Sequence, residues 1–321
     1  MIIDDELSFN CHARSKLKQC WFAWQSISKK CNRSKGLNAS SLRMLFKAIV
    51  LTKLLYAAPI WLGQNLDTFR DFYARVLLKI SGATHHPPKN ITSVALNIPP
   101  LEISYQIMTI KFIIKALTGD SYMQGLIIQL EEARAHRYYP HIDLTRRFVS
   151  WKINNPNMLH RSKLNLLECF QDSYLQYTKG EMTTFLDILW NDHLQRSLQH
   201  DIQLLEINEK SKRLFPRHSS RSTDTKVMSL LHGHDLCFRA FNSRVTGNST
   251  PHCSDCPTRD THIHRIFTCP LYNSSFRDVL QQHSHHDSPC WAILQDCSED
   301  TVVAFRSLAQ LSITDNELQQ S

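Results

Sequence analysis

Apolar side chains recur at three- and four-residue intervals through much of the first 118 positions. In GLNASSLRMLFKAIVLTKLLYAAPIW, Leu42, Leu45, Phe46 and Ile49 keep that spacing. Asn38 stands where an N-cap belongs, and Pro59 is placed to stop the helix. From near Asp67 a second stripe gathers Leu66, Phe69, Phe72, Tyr73, Val76, Leu77 and Ile80, leaves Arg70, Arg75 and Lys79 outside it, and ends at Gly82. After the loop SGATHHPPKN, Pro99-Pro100 introduces a third apolar helix from Leu101 to about Leu117. Three amphipathic helices in succession can bury their stripes against one another as a bundle.

Beyond Thr118 the pattern turns polar as far as about Leu164, with INNPN suggesting a hinge or boundary, and a second helical region runs to Asn208. The chain has only eight glycines, and no pair of alternating runs is joined by Asn-Gly or Asp-Gly, so strands are not expected. The predicted fold class is mostly α. Its divisions are a thumb-like helical bundle at 1–118, a helical connector at 119–208, a basic linker at 209–226, a small domain at 227–280 and a tail at 281–321.

Composition narrows this picture. With 321 residues, 42% of them hydrophobic and 21% charged, the chain can bury one or two ordinary cores. The formal net charge is +8, so its field attracts polyanions, and nucleic acid is the natural partner. Lys210, Lys212, Arg213, Arg217, Arg221 and Lys226 gather in and around EKSKRLFPRHSSRSTDTK with little acid among them, as a solvated linker or a phosphate-contacting arm. The longest apolar run, about Ala48 to Leu62, contains Lys53 and Pro59 and is shorter than the ~20 residues of a bilayer span. Met1 is followed by IIDDELSFN, which does not read as a signal peptide, so an intracellular protein of nucleus or cytoplasm is expected. On that reading Cys11, Cys20, Cys31, Cys169, Cys237, Cys290 and Cys297 are free thiols.

Near the C-terminus, residue type and spacing together demand a chemistry. Cys253, Cys256, His264 and Cys269 form C-x2-C-x7-H-x4-C within PHCSDCPTRDTHIHRIFTCP. Three thiolates and one imidazole complete a closed tetrahedral shell around zinc, and a closed shell is structural because no position remains for water or substrate. Asp255, Pro257 and Asp260 suit the turns of such a knuckle. His262 and His252 compete as ligands; His264 is preferred because a helical register through HRIFTC sets it near Cys269. Phe238, Phe241 and Phe267 are either stacking platforms for bases or core around the ion, and His283, His285 and His286 read as surface.

No catalytic constellation stands out. Asp4-Asp5 lacks a preceding strand and a third carboxylate, and no phosphate loop, nucleophile elbow or H-E-x-x-H helix occurs.

The segment KVMSLLHGHDLCFRAFNSRVTGNSTPHCSDCPTRDTHIHRIFTCPLY resembles the C-terminal zinc-knuckle region of non-LTR (LINE-type) retrotransposon reverse transcriptases. Leu231, Gly233 and His234 match the family's helix motif, with His232 where Thr is more usual. Cys253, Cys256, His264 and Cys269 match its ligands, and Pro270 follows them. IDDELSFNCHARSKLKQCWFAWQSI is similar to the family's segment after the polymerase palm. SLRMLFKAIVLTKLLYAAPIWLG, with Tyr56, Pro59 and Trp61, is similar to its thumb signature, and IPPL at Ile98 to Leu101 also fits. The chain departs from that signature at Thr52 or Lys53, where the family has Pro, and at Ala57, where it has Gly directly after the Tyr. The resemblance implies a region of an RNA-directed DNA polymerase that grips RNA or target DNA, carries one structural zinc and has no palm aspartates, with no small-molecule substrate of its own. Two other readings stay open: an autonomous zinc-dependent nucleic-acid-binding protein derived from such an element, and a structural interaction module.

Overall fold

The computed structural model describes residues 9–29, 31–32, 35–83, 89–119, 125, 129, 139–152, 177–198, 214–216, 218–232, 238–247, 250–270, 277–285, 292–293 and 298–318. Among them the chain is helical, and its β content is an isolated antiparallel bridge between His252 and Arg259. The expected hinge at INNPN lies outside the described residues, as do Asp4, Asp5, Gly233 and His234.

In chain order the helices are α1 (Asn10–Ser28), α2 (Ala39–Leu45), α3 (Thr52–Leu55), α4 (Ala58–Trp61), α5 (Leu66–Ser81), α6 (Lys89–Ala95) and α7 (Leu101–Gly119). They continue as α8 (Tyr139–Lys152), α9 (Lys179–Leu198), α10 (Arg221–His232), α11 (Arg239–Thr246), α12 (His262–Phe267), α13 (Arg277–Gln281) and α14 (Glu299–Leu318). No helix among the described residues is long and apolar enough to cross a membrane.

Two compact units divide the chain, and they interleave along the sequence where five successive segments were expected. One gathers Met1–Ser15, Leu54–Thr68 and Pro100–Asp201; the other gathers Lys16–Lys53, Phe69–Pro99 and Ile202–Ser321. In the first unit α7 packs against α4, α8 and α9. Phe148 meets Phe185 edge-on at 5.1 Å between ring centres and Tyr177 at 6.2 Å. Thr178 and Glu181 form a reciprocal capping box at the start of α9: the Thr178 N–H donates to the Glu181 carboxylate at 2.6 Å, and the Glu181 N–H to the Thr178 hydroxyl at 3.1 Å.

The second unit is organised around α10, against which α2, α6, α12 and α14 pack. Ten of its twelve residues are buried, including Arg221, Asp224 and His232. The segment 209–226, expected to be a linker, is therefore already inside this core helix from Arg221 onward. Likewise the expected tail contains α14, which buries Val302, Ala304, Phe305, Leu308 and Ala309. Gly82 ends α5 at φ +75°, and a Cβ there would lie 2.3 Å from the Thr225 hydroxyl, so close packing and a left-handed backbone both require glycine.

The first amphipathic helix differs from its expected form. Asn38 caps α2 as anticipated, its side-chain oxygen accepting from Ser41 N–H at 2.8 Å. Phe46–Leu51 then forms a π-helical turn. Widening the turn shifts the inward positions to four-residue steps, so Leu42, Phe46, Val50 and Leu54 are fully buried while Ile49 faces outward. The helix ends at Leu55, and Pro59 lies in the first turn of α4 instead of terminating α2. Between them Ala57 takes the left-handed conformation, φ 54° and ψ 21°.

Two consequences can be measured. A left-handed backbone costs a Cβ-bearing residue ~1–2 kcal/mol, partly offset by the extra unfolded-state freedom of glycine, so Ala57→Gly should stabilise the protein by up to about 1 kcal/mol in urea denaturation. Lys47 donates to the Asn97 carbonyl at 2.6 Å. Burial, reinforced by the charge of Arg43, lowers its pKa from 10.5 to about 8. Lys47→Met should therefore be more stable than the parent at pH 7. Its advantage should shrink from about pH 8 to 10.5, where the unfolded parent still holds a proton that the folded parent has released. Denaturation midpoints of both proteins at pH 7 and pH 10 check this.

Candidate metal centre

The segment that carries the Cys/His series folds from two short local devices. Residues 251–260 double back as a small hairpin: Asp260 N–H donates to the Pro251 carbonyl at 3.0 Å and Cys253 N–H to the Thr258 carbonyl at 2.9 Å. Cys253 and Cys256 lie in its turn. Thr261 then caps α12, its hydroxyl accepting from His264 N–H at 3.1 Å. The helix closes at Phe267, and the His264 carbonyl accepts from both Thr268 N–H at 2.9 Å and Cys269 N–H at 2.8 Å. Cys269 thus reaches the site through this C-terminal turn, beyond the helix, and not along a shared helical face.

These devices bring the ligand atoms of Cys253, Cys256, His264 and Cys269 within 4.8 Å of one another. The Cys253 and Cys269 sulfurs are 3.7 Å apart, and Cys256 Sγ is 3.2 Å from His264 Nε2. Sulfur at ~2.3 Å and nitrogen at ~2.0–2.1 Å from one tetrahedral ion imply edges of about 3.5–3.8 Å, so the four lie close enough to hold a metal ion. Cys269 and His264 are buried, while Cys253 and Cys256 are half-buried. Burial alone would raise the Cys253 pKa. The Asp255 N–H, the thiols of Cys269 and Cys256 and the Cys256 N–H outweigh it, so the net direction is down, toward the metal-binding thiolate.

His264 is also oriented from behind. The Thr268 hydroxyl donates to the His264 carbonyl at 3.2 Å, which leaves its oxygen to accept from His264 Nδ1 at 2.8 Å. With the proton on Nδ1, the Nε2 lone pair faces the three sulfurs. His262 stands apart, half-buried and edge-on to Phe238 at 6.2 Å, and His252 is exposed on the hairpin; neither belongs to the group.

Beside the cluster, Asp260 and Arg265 form a buried bidentate ion pair. Arg265 Nε reaches Oδ1 and Nη2 reaches Oδ2, each at 2.7 Å. Asp260 Oδ2 also accepts from Arg239 N–H at 2.9 Å at the start of α11, while the Arg265 guanidinium lies over the Phe238 ring at 5.0 Å. Asp260, expected as a turn residue, is instead the tie between hairpin, α11 and α12. Phe238 and Phe267 are buried and offer no open face for stacking; the Phe241 side chain lies outside the described residues. In the other imidazole group His283 is buried, not on the surface as expected; His285 is exposed and His286 is undescribed.

Of the cations expected to contact phosphate, Lys210, Lys212, Arg213 and Arg217 lie outside the described residues. Lys226 is half-buried on α10. Arg221 is buried, donating to the carbonyls of Asn32 at 3.2 Å, Lys79 at 2.6 Å and Ile80, so its charge faces the interior of the unit. Cys11, Cys20, Cys31 and the three clustered cysteines are free thiols; burial raises Cys20 to about 11 and leaves it unreactive.

No protein-family model, curated protein or solved structure matches the chain.

Removing the support behind His264 should weaken the site without removing a ligand. Thr268→Val should lower metal affinity ~10–100-fold. In competition titrations with cobalt(II) as the absorbing probe, His264→Ala should lose the tetrahedral signal and His262→Ala should keep it.

Proposed function

We propose that the protein holds nucleic acid without catalysing a reaction on it, using a basic helical scaffold fastened by one structural zinc ion. The convergence of three sulfurs and one imidazole carries this reading. That donor set favours zinc over harder cations, and its closed shell leaves no coordination position for substrate. The ion then acts through folding: it joins the hairpin to α12, and α12 packs on α10. The net charge of +8 supplies the long-range attraction for a polyanion.

Within that reading, we take the chain for a relative of the thumb and C-terminal region of a LINE-type RNA-directed DNA polymerase, contacting template RNA or target DNA beside a catalytic palm. Its departure from the thumb signature supports this. Ala57 follows Tyr56 in a left-handed conformation, the backbone state for which glycine, the family's residue there, is the ordinary choice. Trp61, two residues after Pro59, donates its indole N–H to the Tyr56 carbonyl at 3.0 Å and closes that turn.

Purified protein should contain about one zinc per chain, and Cys253→Ser or chelation should unfold the C-terminal segment, read by hydrogen exchange. Affinity for single-stranded RNA should fall linearly on a log–log salt plot, with a slope of ~0.7 per phosphate contact. Zinc without salt-sensitive binding to RNA or DNA would leave a structural module and overturn the nucleic-acid reading.

A further inference from the structure

A cavity of about 490 Å³ opens between the second half of α1, the end of α5 and the start of α10, its lining residues all within the second unit. Trp21, Trp24, Arg75, Lys79 and Arg221 are among the residues that line it, and no carboxylate does so among the described residues. Its size falls within the ~300–1,000 Å³ of small-ligand sites.

The walls are fixed. Trp24 is buried and meets Phe46 edge-on at 5.9 Å, while Trp21 meets Phe72 edge-on at 5.0 Å. Main-chain carbonyls hold two of the cations, Arg221 as described above and Lys79 through the Cys31 carbonyl. Carbonyl dipoles position an ammonium or guanidinium without cancelling its unit charge; Arg221 also interacts with the buried Asp224 one turn on, so Arg75 and Lys79 supply the positive charge that gathers against indole surface. Arg75 is exposed and sits 5.7 Å over the Trp21 ring, which brings this combination to solvent. One residue along α1, Phe22 is 60% exposed with Lys18 over its ring at 6.0 Å.

Resting on the nucleic-acid reading, we infer that this cavity binds one nucleotide unit, its phosphate held by Arg75 and Lys79 and its base against Trp21. An anion alone does not account for two indole walls, and an apolar ligand does not account for three cations without a carboxylate. A phosphate joined to a planar base satisfies both, whether as a free nucleotide or as one residue of a strand. Arg221, tied to main-chain carbonyls and beside Asp224, then serves as part of the fixed wall, and Phe22 offers a stacking surface for the next base of a strand.

The test titrates the full chain with adenosine monophosphate, adenosine, inorganic phosphate and an eight-residue oligoadenylate by calorimetry. The nucleotide should bind at least ~10-fold more tightly than adenosine or phosphate, as expected when stacking and charge both contribute. Arg75→Glu, at an exposed position, and Trp21→Leu should each weaken it ~10-fold or more with helicity retained, while Trp21→Phe should restore much of the affinity. Oligoadenylate binding more tightly than the nucleotide, and losing that affinity in the same variants, would identify a strand as the source; an excluded oligonucleotide beside a bound nucleotide would identify a free nucleotide. No binding of the nucleotide, equal binding of phosphate, or an unchanged Arg75→Glu would overturn the pocket. If RNA still binds in a salt-sensitive way in that case, the broader reading survives; nucleotide binding without any RNA binding would sink the broader reading and keep the pocket.

Discussion

The second unit depends on one buried carboxylate. Asp224 is fully buried in the first turn of α10, where its Oδ2 accepts from Ala39 N–H at 2.8 Å, at the start of α2. Its Oδ1 lies 3.9 Å from the Arg306 guanidinium of α14, which in turn donates to the Leu214 carbonyl at 2.7 Å and the Ser219 hydroxyl at 2.9 Å. Burial is the dominant influence on Asp224 and raises its pKa, against the lowering effects of Ser219, the Ala39 N–H, Arg306 and Arg221. A carboxylate costs several kcal/mol to bury unless partners surround it, so its presence fixes where α2 and α14 must lie. Apolar packing alone would let those helices slide; the bond from Ala39 N–H to Oδ2 ties α2 to α10, while Oδ1 has no hydrogen-bond partner among the described residues and only faces the Arg306 guanidinium of α14.

The Cys253, Cys256, His264 and Cys269 cluster, able to hold a metal ion, and the Asp260–Arg265 pair draw on different chemistry. Both join the hairpin at 251–260 to α12, the first through soft sulfur and imidazole donors, the second through a bidentate charge pair. Metal binding requires deprotonated thiols and is lost to chelators or oxidation. The ion pair is indifferent to both. The segment around α12 therefore has a second local tie that does not depend on a metal.

Sequence reading succeeded where the determining contacts are close in the chain. The four ligands lie within seventeen consecutive positions, and the Asn38 cap closes on Ser41, so spacing alone revealed them. The α5 stripe was legible for the same reason. Failure came where distant partners decide. Arg221 and Lys226 read as a basic arm, but Arg221 is buried against carbonyls some 140 and 190 positions away in sequence. With Thr223, Asp224, Thr225 and Ser229 buried beside it, α10 has too polar a pattern to announce a central helix. The π-helical turn at Phe46–Leu51 moved a stripe that assumed regular periodicity. By contrast, α14 carries a readable signal in Val302, Phe305, Leu308 and Ala309, within the stretch expected as a tail.

The arrangement of α10 bears on how holding and fastening would be coupled. Arg221 opens this helix and lines the tryptophan cavity; Asp224, one turn on, ties it to α2; and the helix also receives α12, which carries His264 of the Cys/His cluster. Any change that displaces α12 is thus presented to the element that places Arg221 in the cavity wall. Coupling between two sites requires a shared element whose position both of them favour, and α10 meets the structural half of that requirement. On the proposed reading, a metal held by the cluster and a ligand held in the cavity would both bear on the placement of α10.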